Sequence, residues 1–254
     1  MPAGEDTVGR FLAWLDLAGR GGGVRVAAAA IAFYHAQKGL SNPCGGAKVK
    51  LVVDGVERAW SAKAVKHRRD PFPVEALQAW VRGRAFGSGI PSARRDACLV
   101  AFGLRTMRRG SELVALRLED VRVTGKRIVV CIRKAKNDQL GRGSEVYVDA
   151  TGSAVCPWLA VRGRQPGLLF TNVSGWPLST SAISSICQRM VAAAGRKELV
   201  TLHSLRIGGA TAAVEGGLTR EQTMTIGGWN SGAVDWYLRA RELATVGVSR
   251  RMGL

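Results

Sequence analysis

Acid is scarce in this chain, and so are the side chains that carry most proton and electron-pair chemistry. Asp and Glu number 19 against 37 Lys and Arg, and 254 residues hold only three His and three Tyr. The acids form no DxD or DDE-like arrangement, which removes the basis for two-metal nuclease chemistry. No GxxxxGK[ST] loop is present, so nothing points to nucleotide hydrolysis. The five cysteines, Cys44, Cys98, Cys131, Cys156 and Cys187, make no CxxC pair and have no His at metal-ligand spacing. They read as reduced, mostly buried thiols, and neither a metal nor another cofactor is expected. No run approaches the roughly 20 apolar residues that a membrane helix needs. The N-terminal MPAGEDTVGRF carries two acids and no apolar stretch, so it does not read as a secretory signal. A soluble, intracellular protein without membrane attachment is expected.

Positive charge is what the chain has in excess. A formal net charge of +18 must be solvated or neutralised, and a polyphosphate is the commonest neutraliser. The densest basic run is KAVKHRR at 63–69. Lys63, Lys66, Arg68 and Arg69 are candidate phosphate contacts there, against the plainer reading of a solvated linker. His67 belongs to the same run and is given no catalytic role.

Hydrophobic periodicity orders the chain. Val8, Phe11, Leu12 and Leu15 fall at i, i+3, i+4 and i+7 within a helix over 7–19, with Thr7 as its candidate N-cap. A glycine-rich break at 19–23 separates it from an alanine-rich helix over 24–39. There Tyr34 reads as core and His35 as a partly buried packing residue. Amphipathic segments near 47–60 and 73–84 complete a small all-helical unit. The Gly- and Ser-rich stretch 83–96 reads as the linker, after which Ser92 caps a helix reaching Met107. A further helix is expected from about Gly110 to Leu116. Over 120–149 the period falls to two, and three β-branched runs separated by turn residues predict a small antiparallel sheet. Helical patterns return at 153–163, 179–194, 203–215, 219–226 and 232–243. The expected fold class is mainly α with a small antiparallel β-sheet (α+β), in two domains, 1–86 and 87–254.

The scarce side chains collect in one stretch, LHSLRIGGATAAVEGGLTREQTMTIGGWNSGAVDWYLR, at 202–239. His203 and Arg206 sit one helical turn apart and share a face. Trp229 follows a Gly-Gly turn, where its indole N–H can donate a hydrogen bond, and Tyr237 stands eight residues later. A phosphodiester site needs cationic donors, a proton carrier and a nucleophile, and this stretch offers all three types. The other tyrosines are weaker candidates: Tyr147 alternates with Val146 and Val148 on a strand, and Tyr34 lies in the alanine-rich helix. Trp236, beside Tyr237, reads as packing.

In RGSELVAL (109–116), the lysine of RKAKND (133–138), HSLR (203–206), GGW (227–229) and Tyr237, the chain resembles the tyrosine recombinase (integrase) family. The motifs stand in family order and at family-like separations. The resemblance covers 90–243 and, more loosely, 7–86 as the helical, SAM-like core-binding domain that completes a clamp around DNA. The eight-residue step from Trp229 to Tyr237 is nine in many phage and bacterial members. With HSLRIGGAT, it is similar in style to the recombinases of eukaryotic retroelements. Relative to the family, the N-terminal domain lacks a first helix, so a truncated clamp is expected.

The resemblance implies a site-specific recombinase that breaks and rejoins DNA through a 3′-phosphotyrosyl intermediate, without metal or ATP. Arg109, in the R-x-S-E pattern, and Arg206 would hold the non-bridging oxygens of the scissile phosphate. Arg105 and Arg108 are neighbours open to confusion with Arg109; for them the readings are phosphate contact or solvent. Lys136, with Lys134 as the competing candidate, would act as general acid on the leaving 5′-oxygen. His203 would assist proton transfer or bind phosphate, Trp229 would donate its N–H to the phosphate, and Tyr237 would attack phosphorus. Glu112 would pair with an arginine and orient it. The implied partners are double-stranded DNA and further copies of the chain, as a tetramer on two sites. The compartment would be the nucleus in a eukaryote, or the cytoplasm and nucleoid in a bacterium. Two rival readings stay open: a catalytically inactive, recombinase-derived DNA-binding protein, and a type IB topoisomerase-like relaxing enzyme.

Overall fold

The computed structural model describes residues 2–63, 69–83, 90–135, 138, 140–149, 155–230 and 234–235. They belong to two compact units, Met1–Arg68 and Arg69–Leu254.

The first unit is built from α1 (Glu5–Leu17), α2 (Val24–Gln37) and α3 (Ala47–Lys63). Gly4 is the N-cap of α1, and Thr7, expected in that place, lies inside the helix. Glu5 and Asp6 in the first turn suit the positive end of the helix dipole. The core is small: Val8, Leu12, Val24, Val49, Val53 and Val56. Trp60 closes the α1–α2 turn, its indole donating to Asp16 at 2.5 Å. Its ring occupies the space that a side chain on Gly21 would need.

Tyr34, expected in this core, is 68% exposed. The inward stripe of α2 runs through Val24, Ala27, Ala28 and Ile31, and Tyr34 lies about 70° of helix rotation from the centre of that stripe. His35 does lie on that face and is half buried as expected. Its Nδ1 bonds the Ile31 carbonyl at 2.8 Å, and its Nε2 accepts the Ala3 N–H at 3.2 Å.

The second unit begins earlier than the expected boundary at 86. Phe72 and Ala76, in and just before α4 (Val74–Arg82), are buried in its core, so α4 belongs to it. The Phe72 N–H also bonds the Ser204 carbonyl at 3.0 Å. Next comes α5 (Pro91–Thr106), the central helix, buried almost all round from Ala97 to Leu104. Ile90 is its N-cap and Pro91 its first residue, so Ser92 stands in the first turn rather than at the cap. The short α6 (Gly110–Val114) follows.

The sheet is the expected one, β1 (Val121–Thr124), β2 (Arg127–Ile132) and β3 (Ser144–Asp149), antiparallel in that order. Its register sets Ile128 opposite Val148 and Val130 opposite Val146. These four residues make one buried face, while Tyr147 on the other face is 60% exposed, as strand alternation requires. Completing the unit are α7 (Val155–Arg162), α8 (Thr180–Ala193), α9 (Leu202–Glu215) and α10 (Arg220–Gly227). No helix among the described residues is long and apolar enough to cross a membrane.

Candidate active site

The site is built where α5, α6, α9 and α10 end or begin. Met107, at the end of α5, is left-handed with φ +49°, a conformation that costs an L-residue about 1 kcal/mol or more. The turn joins α5 to α6 within three residues, Met107 to Arg109. It carries Arg108 inward and makes Arg109 the N-cap of α6. Glu112, three residues into α6, answers both ends of Arg109. One carboxylate oxygen accepts the Arg109 N–H at 3.2 Å, and the other bonds its guanidinium at 3.1 Å. Glu112 is only 6% exposed, so it orients the arginine from behind, as expected for a supporting carboxylate.

Each residue of HSLR has a distinct task. Thr201 is the N-cap of α9, and the buried Ser204 hydroxyl accepts the Thr201 N–H at 2.9 Å in a capping box. Leu205 enters the main core. That leaves His203 and Arg206 on the face turned to the site. Arg206 is 3% exposed, and among the described residues it meets two carbonyls and a ring. One terminal nitrogen donates to the carbonyls of Met107 and, at 2.9 Å, of Gly227. Its guanidinium also stacks 3.8 Å from the centre of the Trp229 ring, a cation–π contact. The strained Met107 turn thus supplies a carbonyl that fixes the second arginine.

The glycines after HSLRI make this approach possible. A side chain on Gly209 would meet the Leu104 carbonyl oxygen at 2.1 Å, and one on Gly208 the Phe72 carbonyl oxygen at 2.4 Å. α9 therefore lies directly on the backbone of its neighbours. GGW is the C-cap of α10: Gly228 is left-handed at φ +66°, and the Trp229 N–H returns to the Met224 carbonyl at 3.0 Å. Gly227 leaves room for the indole itself. Trp229 is buried with Met107, Ala210 and Val234.

Arg108, read from the sequence as a phosphate contact or a solvent-facing neighbour, is 7% exposed. Its Nε is enclosed, without a hydrogen-bond partner among the described residues. Desolvation, and secondarily the charge of Arg109, pull its pKa down, with Glu112 opposing. Arg105 instead donates to the Asp149 carbonyl at the end of β3. His203 keeps a solvent-exposed edge. The protein packed around it, followed by the nearby charge of Arg206, holds its pKa below the usual imidazole value.

Of the lysines, Lys134 is exposed after β2. Lys136 lies outside the described residues. Asp138 is described, and its carboxylate accepts the N–H groups of Arg142 at 3.0 Å and Gly143 at 2.7 Å. Those backbone bonds, the Gly143 one first, hold the Asp138 pKa below the usual carboxylate range. Trp236 and Tyr237 also lie outside the described residues. The segment just before them is anchored twice: Val234 is fully buried, and Asp235 takes a two-pronged ion pair from Arg220 at 2.8 and 2.9 Å. In the basic run Arg69 is exposed, while Lys66, Arg68 and the Lys63 side chain lie outside the described residues. No group of three or more His, Cys, Asp or Glu that could hold a metal occurs among the described residues. Sequence reading missed the Arg220–Asp235 pair and the Gly208–Gly209 contacts; the adjacent glycines inside a helical pattern were the available signal for the latter.

Comparison with known proteins matches this geometry to a family. The phage integrase family model matches residues 84–242. By sequence the chain is similar to an integrase/recombinase XerD homolog of Selenomonas ruminantium. The two are 25% identical over 232 residues, which are 85% of this chain and 67% of that protein. By structure it is similar to the XerH site-specific recombinase bound to palindromic difH substrate in a post-cleavage complex. That likeness has a TM-score of 0.64 at 17% identity and covers 98% of this chain and 73% of that one. It is also similar to the Tn1549 transposon integrase in complex with circular intermediate DNA, with a TM-score of 0.58 at 14% identity over 92% and 80% of the two chains. At such identities the structural likeness establishes a shared fold, and the family match spans well over half of the sequence. The chain belongs to the phage integrase family of tyrosine recombinases.

Proposed function

We propose that this protein is a site-specific DNA recombinase whose nucleophile is Tyr237. The observation that carries the reading is Arg206, a buried guanidinium held by neutral carbonyls and an aromatic ring. A cation fixed in this way is already oriented for an incoming anion and needs little rearrangement to receive one. Arg206 and Arg109 bind the non-bridging oxygens of the scissile phosphate and stabilise the charge that develops as phosphorus becomes five-coordinate. The Tyr237 oxygen attacks phosphorus, the bond to the 5′-oxygen breaks, and Lys136 gives that oxygen its proton. A 3′-phosphotyrosyl bond results, which keeps the bond energy for rejoining, so the cycle uses neither metal nor ATP. His203, neutral at pH 7 with its lowered pKa, accepts the tyrosine proton or bonds the phosphate. The Trp229 indole lies against Arg206 and donates its N–H at the rim of the site.

The substrate is double-stranded DNA. Lys63, Lys66, Arg68 and Arg69 contact its backbone as part of the +18 net charge. The helical first unit is the core-binding half of the clamp, and recombination takes four copies on two duplexes inside the cell. The solved relatives named above were captured on DNA, which supports this choice of partner.

The test uses nicked suicide duplexes carrying a site selected from a randomised pool. Wild-type protein is expected to form a covalent protein–DNA adduct that Tyr237→Phe does not form. An unchanged adduct with Tyr237→Phe would sink the nucleophile. Binding of the selected duplex with no adduct would leave an inactive DNA-binding protein, and site-independent relaxation of supercoils would indicate the topoisomerase reading.

A further inference from the structure

Nothing in the packing explains why residue 108 should be charged. The turn after α5 carries it inward, and a buried position of that size is served by Leu or Met at lower cost. Moving a cation out of water without a partner costs several kcal/mol. Arg108 nevertheless is 7% exposed, and its Nε has no hydrogen-bond partner among the described residues. The carboxylate within its electrostatic reach, Glu112, already bonds both the backbone and the guanidinium of Arg109. The backbone also makes room for the charge. A side chain on Gly228 would stand 2.4 Å from an Arg108 terminal nitrogen, so the glycine that caps α10 leaves that nitrogen its place. Gly228 adjoins Trp229, which lies under Arg206, and Arg108 adjoins Arg109 in the chain. Arg108 thus lies against the Gly228 cap, next in the chain to the tryptophan on which Arg206 stacks, and not on an outer face.

We propose that Arg108 is a third anion-binding cation of the active site, buried with its Nε unbonded among the described residues so that a phosphate oxygen can serve as its partner. That the anion is the scissile phosphodiester rests on the recombinase reading; the anion site itself does not. Its ligand class is a tetrahedral oxyanion, and inorganic phosphate is the minimal probe. The inference separates Arg108 from basic residues that follow the DNA backbone outside the site. It also predicts opposite effects on stability and binding from one substitution, because a desolvated, unpaired charge disfavours folding and favours a ligand.

The experiment compares wild-type protein with Arg108→Met and Arg108→Lys by thermal unfolding and by cleavage of the nicked duplex. Without phosphate, Arg108→Met is expected to melt no lower than wild type, since the replacement fills a similar volume and removes the desolvated charge. Phosphate is then titrated against chloride at constant ionic strength. The wild-type midpoint rises, and Arg108→Met requires about tenfold more phosphate or greater for the same rise, as for loss of one charge-assisted hydrogen bond. Arg108→Lys recovers part of the response, because it restores charge but not the planar fork. Adduct formation falls in the same order. A phosphate response in Arg108→Met equal to that of wild type overturns the proposal. So does an Arg108→Met protein that melts well below wild type, which would make the arginine structural. If phosphate binding depends on Arg108 but no protein forms an adduct, the anion site stands and the strand-transfer reading fails.

Discussion

Arg25 and Arg206 are the same side chain under two regimes. Arg25, on α2 of the first unit, is 63% exposed and bonds Glu57 at 2.7 and 2.5 Å and Asp54 at 3.1 Å. Its charge is cancelled on the spot by two carboxylates, in a medium that screens what is left. Arg206 is buried, bonded to two carbonyls and stacked on a ring, none of which carries a formal charge. Low local polarisability makes that charge act further and more strongly. Holding a cation in place is one task and neutralising it is another. At Arg206 the carbonyls and the ring do the first, and the field left over is what the substitutions below measure.

The comparison breaks most visibly at Arg206 itself. Arg206→Met leaves the Met107 and Gly227 carbonyls without their donor in a buried space and removes the ring contact. A stability loss of about 2–4 kcal/mol is expected, read from urea or thermal unfolding. Arg206→Lys keeps the charge but cannot span both carbonyls and lie flat on Trp229. Its adduct yield should fall about 100-fold or more with a smaller loss of stability. A lysine variant that cleaves at the wild-type rate would mean that charge alone, and not its fixed orientation, carries the function.

Glu112→Gln is expected to have the next largest effect. The neutral amide can still accept the Arg109 N–H but no longer pairs with the guanidinium, in a pocket where the carboxylate side chain is 3% exposed. Stability should drop by about 1–3 kcal/mol. Adduct formation should drop less than in Arg206→Lys, because Arg109 keeps its charge and loses only its brace. Equal cleavage by wild type and Glu112→Gln would remove the orienting role.

The sequence and the structure agree best where a pattern is local and repeated. The sheet, its strand order and most helix spans up to Gly227 were legible because alternation and 3.6-residue periodicity encode which face is buried, while the helix expected over 232–243 lies almost wholly outside the described residues. Motif likeness singled out Arg109, His203, Arg206 and Trp229 as candidates. What escaped depends on contacts between segments far apart in the chain. Met107 reads as a plain apolar residue, and nothing in TMRRG says that its carbonyl will hold Arg206 from 99 residues away. Arg105, Arg108 and Arg109 look alike as text. One bonds a strand carbonyl, one is buried with its Nε unbonded among the described residues, and one caps a helix, because Arg105 lies in the last turn of α5, Arg108 in the link and Arg109 at the start of α6. Tyr34 went wrong for the same reason: the alanine-rich helix offered several plausible inward faces, and packing against α1 and α3 selected one. The domain boundary moved because Phe72 and Ala76 find their partners on distant helices, beyond the reach of a composition shift at 83–96.

His203 gives a weaker contrast, seen in pH dependence. Its folded-state pKa lies below the ordinary value of 6.5 because of desolvation first and the Arg206 charge second. Between the folded and unfolded values the unfolded chain binds more protons, so stability rises with pH through that window and levels off above about 6.5. Acidification from pH 7 should therefore lower the midpoint of wild type more than that of His203→Gln. Melting curves of the two proteins between pH 5 and 8 measure the difference. Parallel curves would show that Arg206 does not project its charge as far as the imidazole.

Arg25→Met should do least, and its silence is as informative as the loss at Arg206. The pair it breaks lies at the surface, where Glu57 and Asp54 return to water at little cost. No shift in the unfolding midpoint beyond replicate scatter is expected. Affinity for the selected duplex should also hold, because a guanidinium already matched to two carboxylates offers little net field to a phosphate. Removing it does leave those two carboxylates uncompensated, so any change should be a slight weakening that disappears as salt is raised. Titrating duplex into both proteins at two salt concentrations checks this. If Arg25→Met weakened binding as severely as Arg206→Lys, local neutralisation would not be what separates the two arginines, and the basic surface would have to be treated as one undivided field.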